Sequence, residues 1–208
     1  MAHIPDGVLS GPVLAAGAIL AAAGCAYGLR RLETERIPHA ALLSAACFVA
    51  AMVHFPVGAG SVHLILNGLA GAFLGWAAFP AVAVSVLLQA AMFGFGGLAA
   101  LGVNVVNMAA PAVLAGVLFR LALTRYGVAD RRVSLAGGLA AGLAVMLTAV
   151  LMALALALSG GQLLAAAQLA LLSHLPVAVI EGCVTAAALG LALRVKPEYF
   201  APPQEAQA

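Results

Sequence analysis

Long apolar runs alternate with short polar, glycine- or proline-rich breaks along this chain, a pattern that predicts a series of membrane-crossing helices. Leu9 to Leu29 is apolar and stops at Arg30-Arg31-Leu32-Glu33-Thr34-Glu35-Arg36. A second run extends from Pro38 to Val53, and Phe55-Pro56-Val57-Gly58-Ala59-Gly60-Ser61 breaks it. A short third run, His63 to Trp76, and a fourth, Pro80 to Met92, follow. Gly94-Phe95-Gly96-Gly97 opens a second break, which continues to Asn107 and overlaps a fifth run, Leu101 to Leu123; Val133 to Leu158 is the sixth. The last run, Gln162 to Val195, is too long for one upright helix at 1.5 Å per residue. It is expected to split at His174-Leu175-Pro176 into an interfacial segment and a final span. At about 20 residues per crossing, the chain holds about seven spans. Irregular backbone at membrane depth is tolerated only inside protein or along a cavity. The predicted fold is therefore an all-α, polytopic bundle of about seven transmembrane helices, with two re-entrant or irregular loops at its outer face. Residues 1–200 would form one transmembrane domain and 201–208 a disordered cytoplasmic tail.

Composition supports a membrane protein: 65% of residues are hydrophobic and 8% charged, with a mean hydropathy of +1.14. Soluble domains carry about a quarter charged residues, so these residues could not form a soluble surface. The N-terminus lacks the positive region of a signal peptide, and an acid and a proline precede the first run. Cys25, Cys47 and Cys183 lie in apolar runs without CxxC spacing and read as small hydrophobic core residues.

The basic residues set the predicted direction. With seven spans and the N-terminus outside, all nine Lys and Arg fall on the cytoplasmic side, as the positive-inside rule requires. The same topology puts His3, His54, His63 and His174 at the outer face and His39 at the inner one. Asn67, Gln89, Asn104, Asn107 and Glu181 are polar groups within apolar runs. The amides could be interhelical glue or could support a site, and an ionisable residue in a span is a functional candidate by default.

Candidate chemistry begins at Met1-Ala2-His3-Ile4-Pro5-Asp6-Gly7. A terminal amine, a backbone amide and an imidazole can close small chelate rings on a divalent transition metal that favours nitrogen and square-planar or tetragonal geometry. The alternative is an ordinary histidine on a frayed terminus.

Four segments together resemble a known family: His3-Ile4-Pro5-Asp6-Gly7, Gly60-Ser61-Val62-His63-Leu64, Gln89 through Asn107, and His174-Leu175-Pro176-Val177-Ala178-Val179-Ile180-Glu181-Gly182. They are similar to the CbiM/NikM family, the substrate-capture subunits of energy-coupling-factor transporters for cobalt and nickel, over residues 3 to about 198. The resemblance implies a metal held near the outer face by the terminal amine, the next amide, the His3 imidazole and His63. Asp6, His54, Ser61, Asn67, Gln89, Asn104, Asn107, His174 and Glu181 could support that site. It also implies a transmembrane coupling subunit (CbiQ-like), an ATPase (CbiO-like) and a small auxiliary membrane subunit (CbiN-like), in a bacterial inner membrane and serving cobalamin biosynthesis. The cargo would be Co2+, with Ni2+ the alternative; no nucleic acid is implied. The chain has no G-x-x-x-x-G-K-[ST] motif, so ATP hydrolysis would fall to the partner.

The family pattern begins Met-His, whereas here Ala2 intervenes. With Met1 retained, an amine, two amides and the His3 imidazole fill four positions and leave none in the plane for His63. With Met1 removed, Ala2 supplies the amine and His3 is second; otherwise Ala2 is foreign to the natural chain. Nitrogen ligands do not select cobalt, since Ni(II) and Cu(II) stand above Co(II) in the affinity order. Two other readings are an intramembrane hydrolase using Ser61 with His63 or His54, for which no G-x-S-x-G or H-E-x-x-H exists, and a stand-alone permease.

Overall fold

The computed structural model describes residues 3–57 and 60–200, except for the side chains of residues 56, 57, 60 and 61. Met1, Ala2 and the expected tail at 201–208 lie outside the described residues. Seven α-helices run in order: α1 (Gly11–Arg30), α2 (Ile37–Ala50), α3 (Asn67–Leu74), α4 (Ala78–Phe93), α5 (Leu101–Tyr126), α6 (Arg131–Ser159) and α7 (Leu164–Val195). Among the described residues, five segments are long and apolar enough to cross a membrane: α1, the stretch Asn67–Phe93, α5, α6 and Gly161–Val195. α2, at 14 residues, is shorter than a typical span.

Three expectations change. The first break contains an antiparallel pair of strands, β1 (His54–Val57) with β2 (Gly60–His63), in which His54 pairs with His63. The helical architecture therefore carries one two-stranded ribbon. The second break is irregular only as far as Ala100, because Asn104 and Asn107 already lie in α5. The last run does not split: α7 continues through Pro176 for 32 residues. A transmembrane helix tolerates the missing N–H of a proline when its neighbours hold it in place.

Glycines set how closely the helices approach. A Cβ on Gly71 would lie 1.7 Å from the carbonyl oxygen of Ala112, and one on Gly116 would lie 2.3 Å from the carbonyl oxygen of Gly71. α3 and α5 thus cross in backbone contact, which only small residues permit. Gly71→Ala is expected to lower stability by about 1–3 kcal/mol, as overpacking does, read by thermal unfolding in detergent. Gly138 and Gly142, which share a small-xxx-small pattern, face Gly182 and Ala178 of α7, so that pattern serves an internal contact. α1 buries only the stripe Gly17, Ala21, Gly24 and Gly28.

The outer surface is apolar: Leu139 is 78% exposed, and Ile19 and Leu42 69% each. In a lipid solvent this is the expected surface. Of the cysteines, Cys47 is buried as expected, Cys25 is half-buried, and Cys183 is exposed. Cys183 therefore lies on the outer surface of α7 rather than in the core, a position that lipid makes inexpensive for an apolar thiol.

Candidate metal site

Three segments meet at the end of the bundle where α1 begins: residues 3–10, the strand pair, and the Gly94–Ala100 loop. The N-terminal segment is locked down residue by residue. Ile4 is buried against Leu9, Ala100 and Val103. Its N–H donates to Asn104 Oδ1 (2.9 Å) and its carbonyl accepts from Asn104 Nδ2 (3.0 Å). One side-chain amide thereby satisfies both backbone polar groups of a buried residue, which would be costly unpaired. Asp6 Oδ1 accepts the N–H of Ala100 (2.9 Å) at the start of α5.

The glycines of the loop make this docking possible. A Cβ on Gly97 would fall 2.1 Å from the Asp6 carboxyl carbon. Gly96 has a φ of +79°, and a Cβ there would meet Asn104 Nδ2 at 2.8 Å. Left-handed backbone and close approach both call for glycine.

These contacts deliver His3 to His63. Their rings stack at 4.9 Å between centroids, with an interplanar angle of 25°. Both histidines are buried, at 1% and 2% exposure. Phe95 stacks over both, at 6.4 Å from His3 and 6.3 Å from His63. His54, opposite His63 in the strand pair, lies edge-on at 5.8 Å; it is exposed, and its ring bonds the carbonyl of Met52.

The hydrogen bonds define which nitrogens are bare. Gln89 Nε2 donates to Ser85 Oγ (2.9 Å), which leaves the Gln89 carbonyl for His3. His3 therefore donates from Nε2 (2.8 Å) and keeps the lone pair on Nδ1. His63 donates from Nδ1 to the Leu64 carbonyl (2.8 Å) and keeps the lone pair on Nε2. Among the described residues neither bare nitrogen has a partner. Holding one ring nitrogen by a hydrogen bond while the other stays open is how metal-binding histidines are oriented. Burial pushes His3 down to about 4, against the Gln89 bond, and His63 down to about 3, with the neighbouring His3 adding to the fall. Both rings are neutral near pH 7, the form that binds metal. Nδ1 is also the nitrogen of His3 that can share a six-membered chelate ring with its own backbone nitrogen. Among the described residues no three His, Cys, Asp or Glu side chains gather into a metal site.

Of the remaining expected residues, Asn67 lines a small cavity together with His63, Ser85 and Gln89. Glu181 is fully buried, and its carboxylate accepts the N–H groups of Ile65 and Leu66, the latter at 2.8 Å. It anchors the turn just after His63, where Leu66 adopts a left-handed φ of 53°. Asn67 donates to the Met108 carbonyl and to Thr148 Oγ1, both at 3.0 Å, joining α3, α5 and α6. Asn107 is buried on α5 and takes part in none of these bonds. His174 is buried in α7 and donates from Nδ1 to the Ala170 carbonyl (2.7 Å), which leaves its Nε2, like the open nitrogens of His3 and His63, without a partner among the described residues. The Ser61 side chain, with Met1 and Ala2, lies outside the described residues. Sequence reasoning missed Phe95 and Ser85. The i,i+4 spacing of Ser85 and Gln89 was the available signal for the second; an aromatic between glycines was the signal for the first.

Gln89→Leu removes the bond that sets the His3 tautomer. It is expected to weaken metal binding about 10- to 100-fold, as loss of such an orienting partner does, measured by competition on the purified chain.

The model of the cobalt uptake substrate-specific transmembrane region (CbiM) matches residues 3–199. The chain belongs to this family. A metal transport protein of Haemophilus influenzae is 49% identical over 198 residues, covering 95% of this chain and 96% of that protein. The fused nickel transport protein NikMN of Rhodobacter capsulatus is 37% identical over 145 residues, covering 66% of this chain and 42% of its own length. A crystal structure of a truncated transition metal transporter superposes with a TM-score of 0.72 at 25% identity, covering 92% of this chain and 98% of the other. This member of the CbiM family is thus a multi-pass membrane protein of metal transport. Its relatives are transporters rather than catalysts, which sets aside the hydrolase reading of Ser61.

Proposed function

We propose that this chain captures Co(II) at the outer face of a bacterial inner membrane, for ATP-driven uptake by an energy-coupling-factor transporter that supplies cobalamin biosynthesis. The observation that carries the reading is the pair of buried, neutral imidazoles, His3 and His63, each with one open nitrogen and the other tied down. With Met1 removed, the terminal amine of Ala2 and the backbone amide nitrogen of His3 complete a set of four nitrogens; with Met1 retained, its amine and the amides of Ala2 and His3 would take the plane instead of His63. Seven crossings with the N-terminus outside put the basic residues in the cytoplasm and the histidine cluster outside. The fused nickel relative supports Ni(II) in the same role. Its two-part name also supports a NikN- or CbiN-like companion. CbiQ-like and CbiO-like subunits would supply coupling and ATP hydrolysis.

The test is calorimetric titration of purified chain with Co(II) and Ni(II), before and after chemical acetylation of the terminal amine. One ion per chain, lost on acetylation, is expected. Unchanged binding after acetylation would remove the terminus from the ligand set. Metal uptake by this chain alone, in cells lacking the coupling and ATPase subunits, would favour a stand-alone permease instead.

A further inference from the structure

At the end of the bundle opposite the histidines, where α1 ends, a cavity of about 940 Å³ opens between the break after α3, α5 and the segment following α7. Arg31, Arg36 and Arg120 line it, and Glu33 is the sole acid among its lining residues. Glu33 meets Arg36 at a single 3.5 Å contact and is itself 72% exposed. Arg31 is held at the rim by the hydroxyl of Tyr27 (2.8 Å). Arg36 lies over the ring of Tyr199, 4.9 Å from its centroid, and Arg120 reaches across Gly75. The Tyr199 hydroxyl is buried and has no partner among the described residues. A buried phenol at a wall lined by guanidinium groups is a donor in need of an acceptor.

The sign of the charge is wrong for a divalent cation, so this cavity does not suit the cargo. It suits an anion with several acceptor oxygens, which arginine binds in preference to other partners. The rest of the wall is apolar, and Trp76 and Val117, which line it, are 44% and 45% exposed on the lipid-facing surface. The cavity is thus continuous with the surface that acyl chains cover. In the proposed topology this end faces the cytoplasm, where basic pockets between helices meet lipid headgroups.

We propose that this cavity seats the phosphate-bearing headgroup of an anionic phospholipid, with the guanidinium groups of Arg36 and Arg120 and the Tyr199 hydroxyl as its donors. The wall beside Trp76 and Val117 takes the glycerol and upper acyl chains.

Native mass spectrometry and thermal unfolding of the purified chain, with phosphatidylglycerol or phosphatidylcholine added, test this. One phosphatidylglycerol per chain is expected to be retained in preference to phosphatidylcholine. Arg36→Gln and Arg120→Gln should each weaken that retention about fivefold or more, in line with the attraction of one basic residue for an anionic surface. Arg120→Lys should restore part of it, and Tyr199→Phe should weaken it less. Ni(II) titration of every variant, which should not change, confirms that each is folded. Equal retention of the two lipids by the unaltered chain would overturn the proposal, and so would a preference that survives the double Arg36→Gln, Arg120→Gln variant. Stabilisation by inorganic phosphate alone to the same degree as by phosphatidylglycerol would reassign the site to a soluble anion. Cross-linking of residue 120 to an acidic segment of a co-purified subunit, with the lipid excluded, would reassign it to a protein.

Discussion

His3→Ala and His63→Ala are each expected to weaken binding of Co(II) or Ni(II) to the purified chain by more than about a hundredfold. Loss of an orienting partner costs about 10- to 100-fold, and loss of a ligand should exceed that. The two rings are stacked at 4.9 Å and offer the open nitrogens Nδ1 and Nε2. His54→Ala is the matched control: its ring is exposed and already bonded to Met52, so a change below about tenfold is expected by the same scale. If both His3→Ala and His63→Ala bind as the unaltered chain does, the site is wrongly assigned. The pH dependence separates the ligands further. His3 at about 4 and His63 at about 3 are already deprotonated at neutral pH. Acidifying from about pH 8 to pH 6 therefore does not protonate them, and an affinity that falls over this range reports proton release from the other ligands, the terminal amine, whose ordinary range of about 7.7–8.0 lies within it, and the backbone amide. An affinity flat across that range would remove the amide from the ligand set.

Glu181→Ala is expected to have the largest effect on stability. It strands the N–H groups of Ile65 and Leu66, each costing about 1–3 kcal/mol when buried and unpaired. Leu66 also holds a left-handed φ of 53° that the carboxylate helps to stabilise. Thermal unfolding in detergent should show the loss. Metal titration should show a second, smaller effect, because His63 lies two residues before the released turn. Wild-type stability in Glu181→Ala would show that the carboxylate is not the anchor of that turn.

Much of the site was legible in the sequence because its residue types are unusual for their surroundings. A histidine beside the terminus, one after a glycine-serine pair, and amides inside apolar runs all stood out, and His3, His63, Gln89 and Asn104 do converge. Glu181 was legible as a buried acid but not as an anchor, since its partners Ile65 and Leu66 are 116 and 115 residues away. His174 stands beside the other histidines by topology and by the His174–Gly182 segment, and its Nε2 is likewise buried without a partner among the described residues.

The sequence by itself determined that the chain is a membrane protein of stacked apolar helices, which residues could bind metal, and, through its motifs, the family. Those properties are local: hydrophobic run length, residue type and spacing. Only the tertiary structure decided that 54–63 contains a pair of strands with His54 facing His63, that α7 runs unbroken through Pro176, and which nitrogen of each imidazole stays open. Those outcomes depend on partners distant in the chain. Gln89 lies 86 residues from His3 and sets its tautomer across the bundle. Gly97 leaves the space that Asp6 fills, a vacancy that only the folded packing reveals.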